Sequence, residues 1–157
     1  MKKLKLYIET SVWNFLFAED APDKQRETSR FFEEIHSGDY ELFISTLVIA
    51  EIERAQELVR NKLLGKIDEI EPDVLAITRE VDELALKYSG ACFLSEKAFD
   101  DLTHAAVATV NRMDFLVSWN LKHIVKVKTI AGINEINLIE GYRELKICTV
   151  QGVVVDE

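Results

Sequence analysis

The chain has 157 residues, 48% hydrophobic and 30% charged, a composition that points to one soluble globular domain rather than a disordered or membrane-spanning chain. Its formal net charge of −9, from 28 acidic and 19 basic residues, argues against nucleic-acid binding by bulk electrostatics, though not against a nuclease whose acids hold a metal. Cys92 and Cys148 lack metal-ligand spacing, and the first apolar stretch meets a carboxylate by residue 9, so a cytoplasmic protein without signal peptide or membrane contact is expected.

Residues 3–8 set Leu4, Leu6 and Ile8 against lysine and tyrosine, the period-2 pattern of a strand. Thr10 or Ser11 then caps a short helix through residues 12–17. The turn at residues 20–23 opens a helix to about His36, with Phe31, Phe32 and Ile35 as its buried stripe and Gly38 as its end. Residues 40–45 read as a second strand, and Ser45 or Thr46 caps a helix to about Arg54. A helix over 57–70 interrupted by Gly65, a short strand over 74–77, and a helix over 79–88 stopped by Gly90 follow. Ser95 is expected to cap a long helix to about Arg112, ahead of a strand over 115–119. A helix from about His123 to Gly141, weakened by Gly132, leads to a last strand over 145–150. Strands alternating with helices predict an α/β domain whose parallel sheet is covered on both faces. With two prolines and six glycines there is no linker, so residues 1–150 form one domain and 151–157 a C-terminal tail.

Four acid or amide residues stand beside these apolar runs. Glu9 follows the first strand directly; the alternative to a ligand is an acid favourable to a helix N-terminus. Glu51 lies among Leu47, Val48, Ile49, Ala50 and Ile52, where an ionised carboxylate needs a partner, which is either a metal or Arg54 three residues on. Asp100 and Asp101 both open the helix Asp101-Leu102-Thr103-His104-Ala105-Ala106; Asp101 shares a face with Ala105 and Ala108, Asp100 with His104, and spacing does not choose between the acids. Asn120 ends the run Phe115-Leu116-Val117-Ser118-Trp119 and serves as ligand or turn cap. Asp114 precedes the same strand, away from its carboxyl end, and reads as a turn residue.

In a parallel sheet the carboxyl ends of the strands meet at one crevice, where ligands bind. Gathered carboxylates with no cysteine or histidine cluster point to Mg²⁺ or Mn²⁺ rather than Zn²⁺. No nucleophile elbow, GxGxxG or P-loop pattern occurs. Lys122, Lys126 and Lys128, beside His123, form the one locally basic stretch: a phosphate-contacting strip or a solvated surface. Trp13, Phe15, Phe17, Phe31 and Phe32 crowd the first two helices, more apolar area than one core need bury, so a homodimer or protein partner is expected over that region.

Taken together, Tyr7-Ile8-Glu9-Thr10-Ser11-Val12, the Glu51 helix, Asp101-Leu102-Thr103-His104-Ala105-Ala106 and Leu116-Val117-Ser118-Trp119-Asn120 resemble the PIN-domain family, and within it the VapC-like toxins of toxin–antitoxin pairs. The resemblance runs from the first strand to about Cys148 and includes Leu121-Lys122-His123-Ile124 and Asn137-Leu138-Ile139-Glu140-Gly141-Tyr142. It implies a three-layer α/β/α domain and a Mg²⁺- or Mn²⁺-dependent endoribonuclease on single-stranded RNA, with an antitoxin protein as partner. The family's three acids fall on Glu9, Glu51 and Asp101, implied metal ligands, and its fourth position on Asn120; all four are implied catalytic residues. The first position is usually Asp, and Glu9 moves its carboxylate by about 1.5 Å, where a misplacement of about 1 Å costs on the order of 100-fold in rate. Two other readings therefore stand beside the nuclease: a catalytically weak or inactive PIN module that binds RNA or a protein, and, further off, a phosphatase-like domain using Glu9.

Overall fold

Leu6, Tyr7 and Ile8 of β1 (Leu4–Ile8) are fully buried, because this strand lies at the centre of a sheet covered on both faces. The computed structural model describes residues 2–35, 38–92 and 98–153. Among them β2 (Tyr40–Ser45), β3 (Asp73–Leu75), β4 (Phe115–Val117) and β5 (Lys146–Cys148) join β1 in an all-parallel sheet of order β3-β2-β1-β4-β5. The helices are α1 (Thr10–Phe15), α2 (Pro22–Ile35), α3 (Thr46–Glu53), α4 (Glu57–Ile70), α5 (Arg79–Cys92), α6 (Phe99–Val110) and α7 (Val127–Glu140).

From β1 the chain steps outward to β2 and β3, then returns to the other side of β1 for β4 and β5. The strand order thus reverses between β1 and β4, paired with Leu6 opposite Phe115 and Ile8 opposite Val117. Glu9 N–H donates to the Val117 carbonyl at 3.0 Å, carrying the pairing one residue past β1. Glu9 and Ser118 to Asn120 therefore emerge side by side at the switch point, where α/β sheets bind ligands. Behind them α6 buries Leu102 through Thr109 without a break, as a helix apolar on every side must. Its run of Ala105, Ala106 and Ala108 lets the backbone approach its neighbours closely. Helix α5 packs on both α6 and α7.

Several boundaries differ from the sequence expectation for identifiable reasons. Helix α5 continues through Gly90 to Cys92. A glycine stops a helix when it turns left-handed, as Gly141 does with φ 80° at the end of α7, and Gly90 does not. Helix α4 runs unbroken through Gly65 and ends on Glu71, itself left-handed at φ 56°. Helix α7 begins at Val127 rather than near His123, because Asn120 gathers the intervening N–H groups: its carbonyl accepts from Ile124 (3.0 Å) and Val125 (2.9 Å). The expected strands over 74–77, 115–119 and 145–150 shorten to the three-residue β3, β4 and β5. Ser95, the expected cap of α6, and His36 lie outside the described residues, as does 154–157 of the expected tail.

The expected aromatic patch is overturned. Trp13 and Phe31 are fully buried and Phe32 nearly so, in contact as a tilted Trp13–Phe32 pair (4.9 Å) and an edge-to-face Phe31–Phe32 pair (5.2 Å), with Phe15 and Phe17 partly buried against the core. These rings are where α1 and α2 meet. The large apolar side chains left in solvent are elsewhere, among them Leu86 on α5 and Leu138 and Ile139 on α7.

Candidate active site

Glu9 caps α1. Its extended backbone (φ −72°, ψ 158°) turns the carboxylate back on the helix start, where it accepts from Ser11 N–H at 3.1 Å. Two hydroxyls converge on Oε1 of the same group, Ser11 Oγ at 2.5 Å and Ser118 Oγ at 2.6 Å. Ser11 Oγ in turn accepts from Trp119 N–H (2.8 Å) and Ser118 Oγ from Asn120 N–H (2.9 Å), so the loops after β1 and β4 are laced through this carboxylate. Glu9 is only 4% exposed, and this donor set is what keeps an acid there.

Glu51 projects from α3 and does not pair with Arg54. Its Oε1 accepts from Thr10 Oγ1 at 2.8 Å and meets His104 Nε2 at 2.5 Å. His104 is fully buried, and its Nδ1 lies 2.7 Å from Tyr7 Oη, itself 2.8 Å from Ser45 Oγ. Burial pushes the Glu51 carboxyl up, but the His104 hydrogen bond, the His104 charge, the Thr10 hydroxyl and the more distant charge of Arg54 outweigh it and leave the group below its ordinary value. For His104 burial pulls down, while the Glu51 hydrogen bond and the charges of Glu9, Glu51 and Asp101 lift it above its ordinary value. Tyr7 is pushed well up by burial and by the charges of Glu9 and Glu51, against the Ser45 hydrogen bond, so it stays a neutral phenol.

Asp101 stands in the first turn of α6, half-buried. Its carboxyl is pushed up to about 6, first by burial and then by the charge of Glu9, against His104, His123 and a hydrogen bond from the Asn120 side chain. Asp100 instead pairs with Arg54 at 3.5 Å in solvent. His104, three residues on from Asp101, feels the charge of that acid, and Asp101 in turn feels His104. Asn120 both bonds Asp101 and accepts His123 N–H on Oδ1 at 3.0 Å, so ligand-like and turn-capping positions coincide in one residue. Asp114 sits at the far end of β4, accepting from Lys5 N–H at 2.7 Å.

The structure thus brings Glu9, Glu51, Asp101 and Asn120 to one end of the sheet and adds Thr10, Ser11, Ser118, His104 and Tyr7. A lone histidine on an apolar helix carries no signal of such a role, whereas the hydroxyls directly follow Glu9 and precede Asn120. Among the described residues no three of His, Cys, Asp and Glu form a group that could hold a metal ion. The donor chemistry nevertheless fits a hard cation of the kind bound by one or two carboxylates with water completing the shell. All the donors are oxygen, and Asp101, pushed up first by burial and then by the Glu9 charge, is a carboxylate whose charge a cation would offset.

No protein-family model matches the sequence, and no curated protein matches it. Solved structures do. VapC20 of Mycobacterium tuberculosis, a sarcin–ricin loop cleaving toxin, matches with a TM-score of 0.57 at 20% identity, over 71% of this chain and 86% of that one. VapBC2 of Rickettsia felis, solved bound to a DNA fragment from its promoter, matches with a TM-score of 0.56 at 11% identity, over 93% of this chain and 98% of that one. At such identities the likeness establishes the fold: a central parallel sheet flanked by helices, as in PIN-domain toxins.

Proposed function

We propose that this chain is a Mg²⁺- or Mn²⁺-dependent endoribonuclease acting on single-stranded RNA, the toxin of a toxin–antitoxin pair. The observation that carries the reading is the meeting of Glu9, Glu51, Asp101 and Asn120 at the switch point between β1 and β4, with Asp101 pushed up first by burial and then by the charge of Glu9. Glu9, Glu51 and Asp101 would hold the ion. When bound, the ion supplies the acidification of water and the charge stabilisation that phosphodiester hydrolysis needs.

The protein's own residues do the rest. Ser11 and Ser118 donate to Glu9 and hold it against rotation. Those hydroxyls are committed to a carboxylate and Tyr7 is held neutral, so the scissile phosphate meets water and not a protein nucleophile. Asn120, fixed by Asp101 and by His123 N–H, orients a phosphate oxygen or water by hydrogen bonding. Lys122, Lys126 and Lys128, all exposed and forming no ion pair among the described residues, follow Asn120 directly and would guide the RNA backbone past the acids. The resemblance to VapC toxins motivates an antitoxin partner and action in the cytoplasm. Among the described residues no helix is long and apolar enough to cross a membrane.

Cleavage of a labelled RNA by the purified protein, in Mg²⁺ or Mn²⁺ and in EDTA, tests the reading. Cleavage in either ion and none in EDTA is expected; no cleavage in either ion, beside an active control nuclease, sinks it. The second reading, a PIN module that binds without cutting, is favoured by one observation: Glu9 and Glu51 are each already engaged by donors within the protein. It predicts no thermal stabilisation by millimolar Mn²⁺, where the nuclease predicts a clear rise.

A further inference from the structure

We propose that His104 is a positioning residue which, with Thr10, fixes Oε1 of Glu51 and so leaves Oε2 for a divalent cation. The inference rests on the reading of Glu51 as a ligand. Both hydrogen bonds to Glu51 land on one oxygen, Thr10 Oγ1 at 2.8 Å and His104 Nε2 at 2.5 Å, and among the described residues Oε2 accepts none.

The network is continuous: Leu47 N–H donates to Ser45 Oγ (3.2 Å), Ser45 Oγ lies 2.8 Å from Tyr7 Oη, Tyr7 Oη 2.7 Å from His104 Nδ1, and His104 Nε2 2.5 Å from Glu51 Oε1. This chain joins α3, β2, β1 and α6, and its side chains Ser45, Tyr7 and His104 are fully buried, with Thr10 nearly so and the Glu51 carboxylate partly exposed at its end. No buried side-chain polar atom among the described residues lacks a partner; a leucine in place of His104 would leave the Tyr7 hydroxyl on Ser45 alone and Glu51 on Thr10 alone.

A carboxylate at this site has reason to turn away, because Glu9 and Asp101 carry the same charge. A glutamate side chain costs substantial rotamer entropy to hold, and a hydrogen bond from a rigid, buried ring supplies that constraint before any ion arrives. His104 is itself immobile, gripped at Nδ1 by a fully buried tyrosine. Partners of this kind behind a metal ligand typically change metal affinity by about 10–100-fold when removed.

The test is Mn²⁺ binding by calorimetry on the RNA-free protein, with wild type, His104→Leu, His104→Gln and Thr10→Val, the first two also in a Glu51→Gln background. His104→Leu is expected to weaken Mn²⁺ binding by about 10-fold or more. His104→Gln, whose amide can still donate to Glu51, should recover most of it. In the Glu51→Gln background His104→Leu should cost nothing further, since the clamp acts only through that carboxylate. Should His104→Leu not fold, Thr10→Val carries the test by removing the other donor to the same oxygen, and is expected to weaken binding. Wild-type affinity in His104→Leu, or in Thr10→Val where that variant stands in, overturns the clamp while the ligand reading stands. So does an equal loss in both Glu51 backgrounds. Absence of Mn²⁺ binding by the wild type overturns the ligand reading and the clamp with it.

Discussion

The extra methylene of Glu9 finds its place in the turn it begins, where the carboxylate folds back to accept from Ser11 N–H and takes Ser11 and Ser118 hydroxyls on one oxygen. Asp101 has no such set of donors, and burial, with the charge of Glu9 added, pushes its carboxyl up to about 6. That asymmetry has a consequence for stability. Without divalent ions, Asp101 contributes stability fully present below its ordinary value of 3.8 and lost as pH rises through about 6. His104, raised, adds stability present below 6.5 and lost as pH climbs through its folded value; Glu51, lowered, adds stability present above 4.5 and lost as pH falls through its own. In EDTA the wild type should therefore lose more stability than Asp101→Asn between pH 4 and pH 7. Mn²⁺, competing with the Asp101 proton, should raise the melting temperature more at about pH 7.5 than at about pH 5. Melts with an equal Mn²⁺ effect at both pH values would contradict this assignment. Glu9 and Asn120 stood out in the sequence because each follows an apolar strand-like run, although β4 itself stops at Val117. His104 did not, since a histidine inside Leu102 to Val107 reads as filler until its two ring nitrogens are seen to join Tyr7 to Glu51. Asp100 and Asp101 became distinguishable only through Arg54, which draws Asp100 away.

At the scale of elements, periodicity revealed the strands and most helices, whereas glycine misled. Gly65 and Gly90 are both ordinary helical residues, and a Cβ at Gly65 would meet nothing within 4 Å. Gly65→Ala should stabilise the protein by about 0.5–1 kcal/mol, raising the melting temperature by a few degrees; a lower melting temperature would mean that α4 needs the glycine for a contact. The turn from Asn120 to α7 was read as helix because nothing in its composition marks a break. It is held open by Asn120, whose side chain and carbonyl take three successive N–H groups. The lysines on and after this turn carry a second prediction. In an Asp101→Asn background that cannot cut, replacing Lys122, Lys126 and Lys128 with alanine should weaken single-stranded RNA binding. It should also flatten the slope of log affinity against log salt by roughly 2, three phosphate contacts at about 0.7 each. An unchanged slope would return the strip to plain solvated surface.

For the whole molecule, the proposed reading requires a −9 chain to confine its attraction for RNA to one edge and avoid repelling the substrate elsewhere. The sheet order does this by bringing the acids, where a cation reverses the local sign, next to the basic turn. Assembly is a separate matter: the aromatics that suggested an interface are buried or packed against the core, and we propose that a homodimer or antitoxin contact uses Leu86, Leu138 and Ile139, which are 62%, 80% and 68% exposed and are three among several exposed apolar side chains. Light scattering should give about twice the 18.0 kDa chain mass for the wild type and the single-chain mass for Leu138→Asp with Ile139→Asp; a wild-type monomer would remove the homodimer. The most direct measurement of the central proposal is Mn²⁺-dependent cleavage of single-stranded RNA by wild type, Asp100→Asn and Asp101→Asn side by side. Cleavage by wild type and by Asp100→Asn at similar rates, abolished by EDTA and reduced on the order of 100-fold or more in Asp101→Asn, is the predicted result. Cleavage that survives in Asp101→Asn, or that is absent from the wild type in both Mg²⁺ and Mn²⁺, would contradict it.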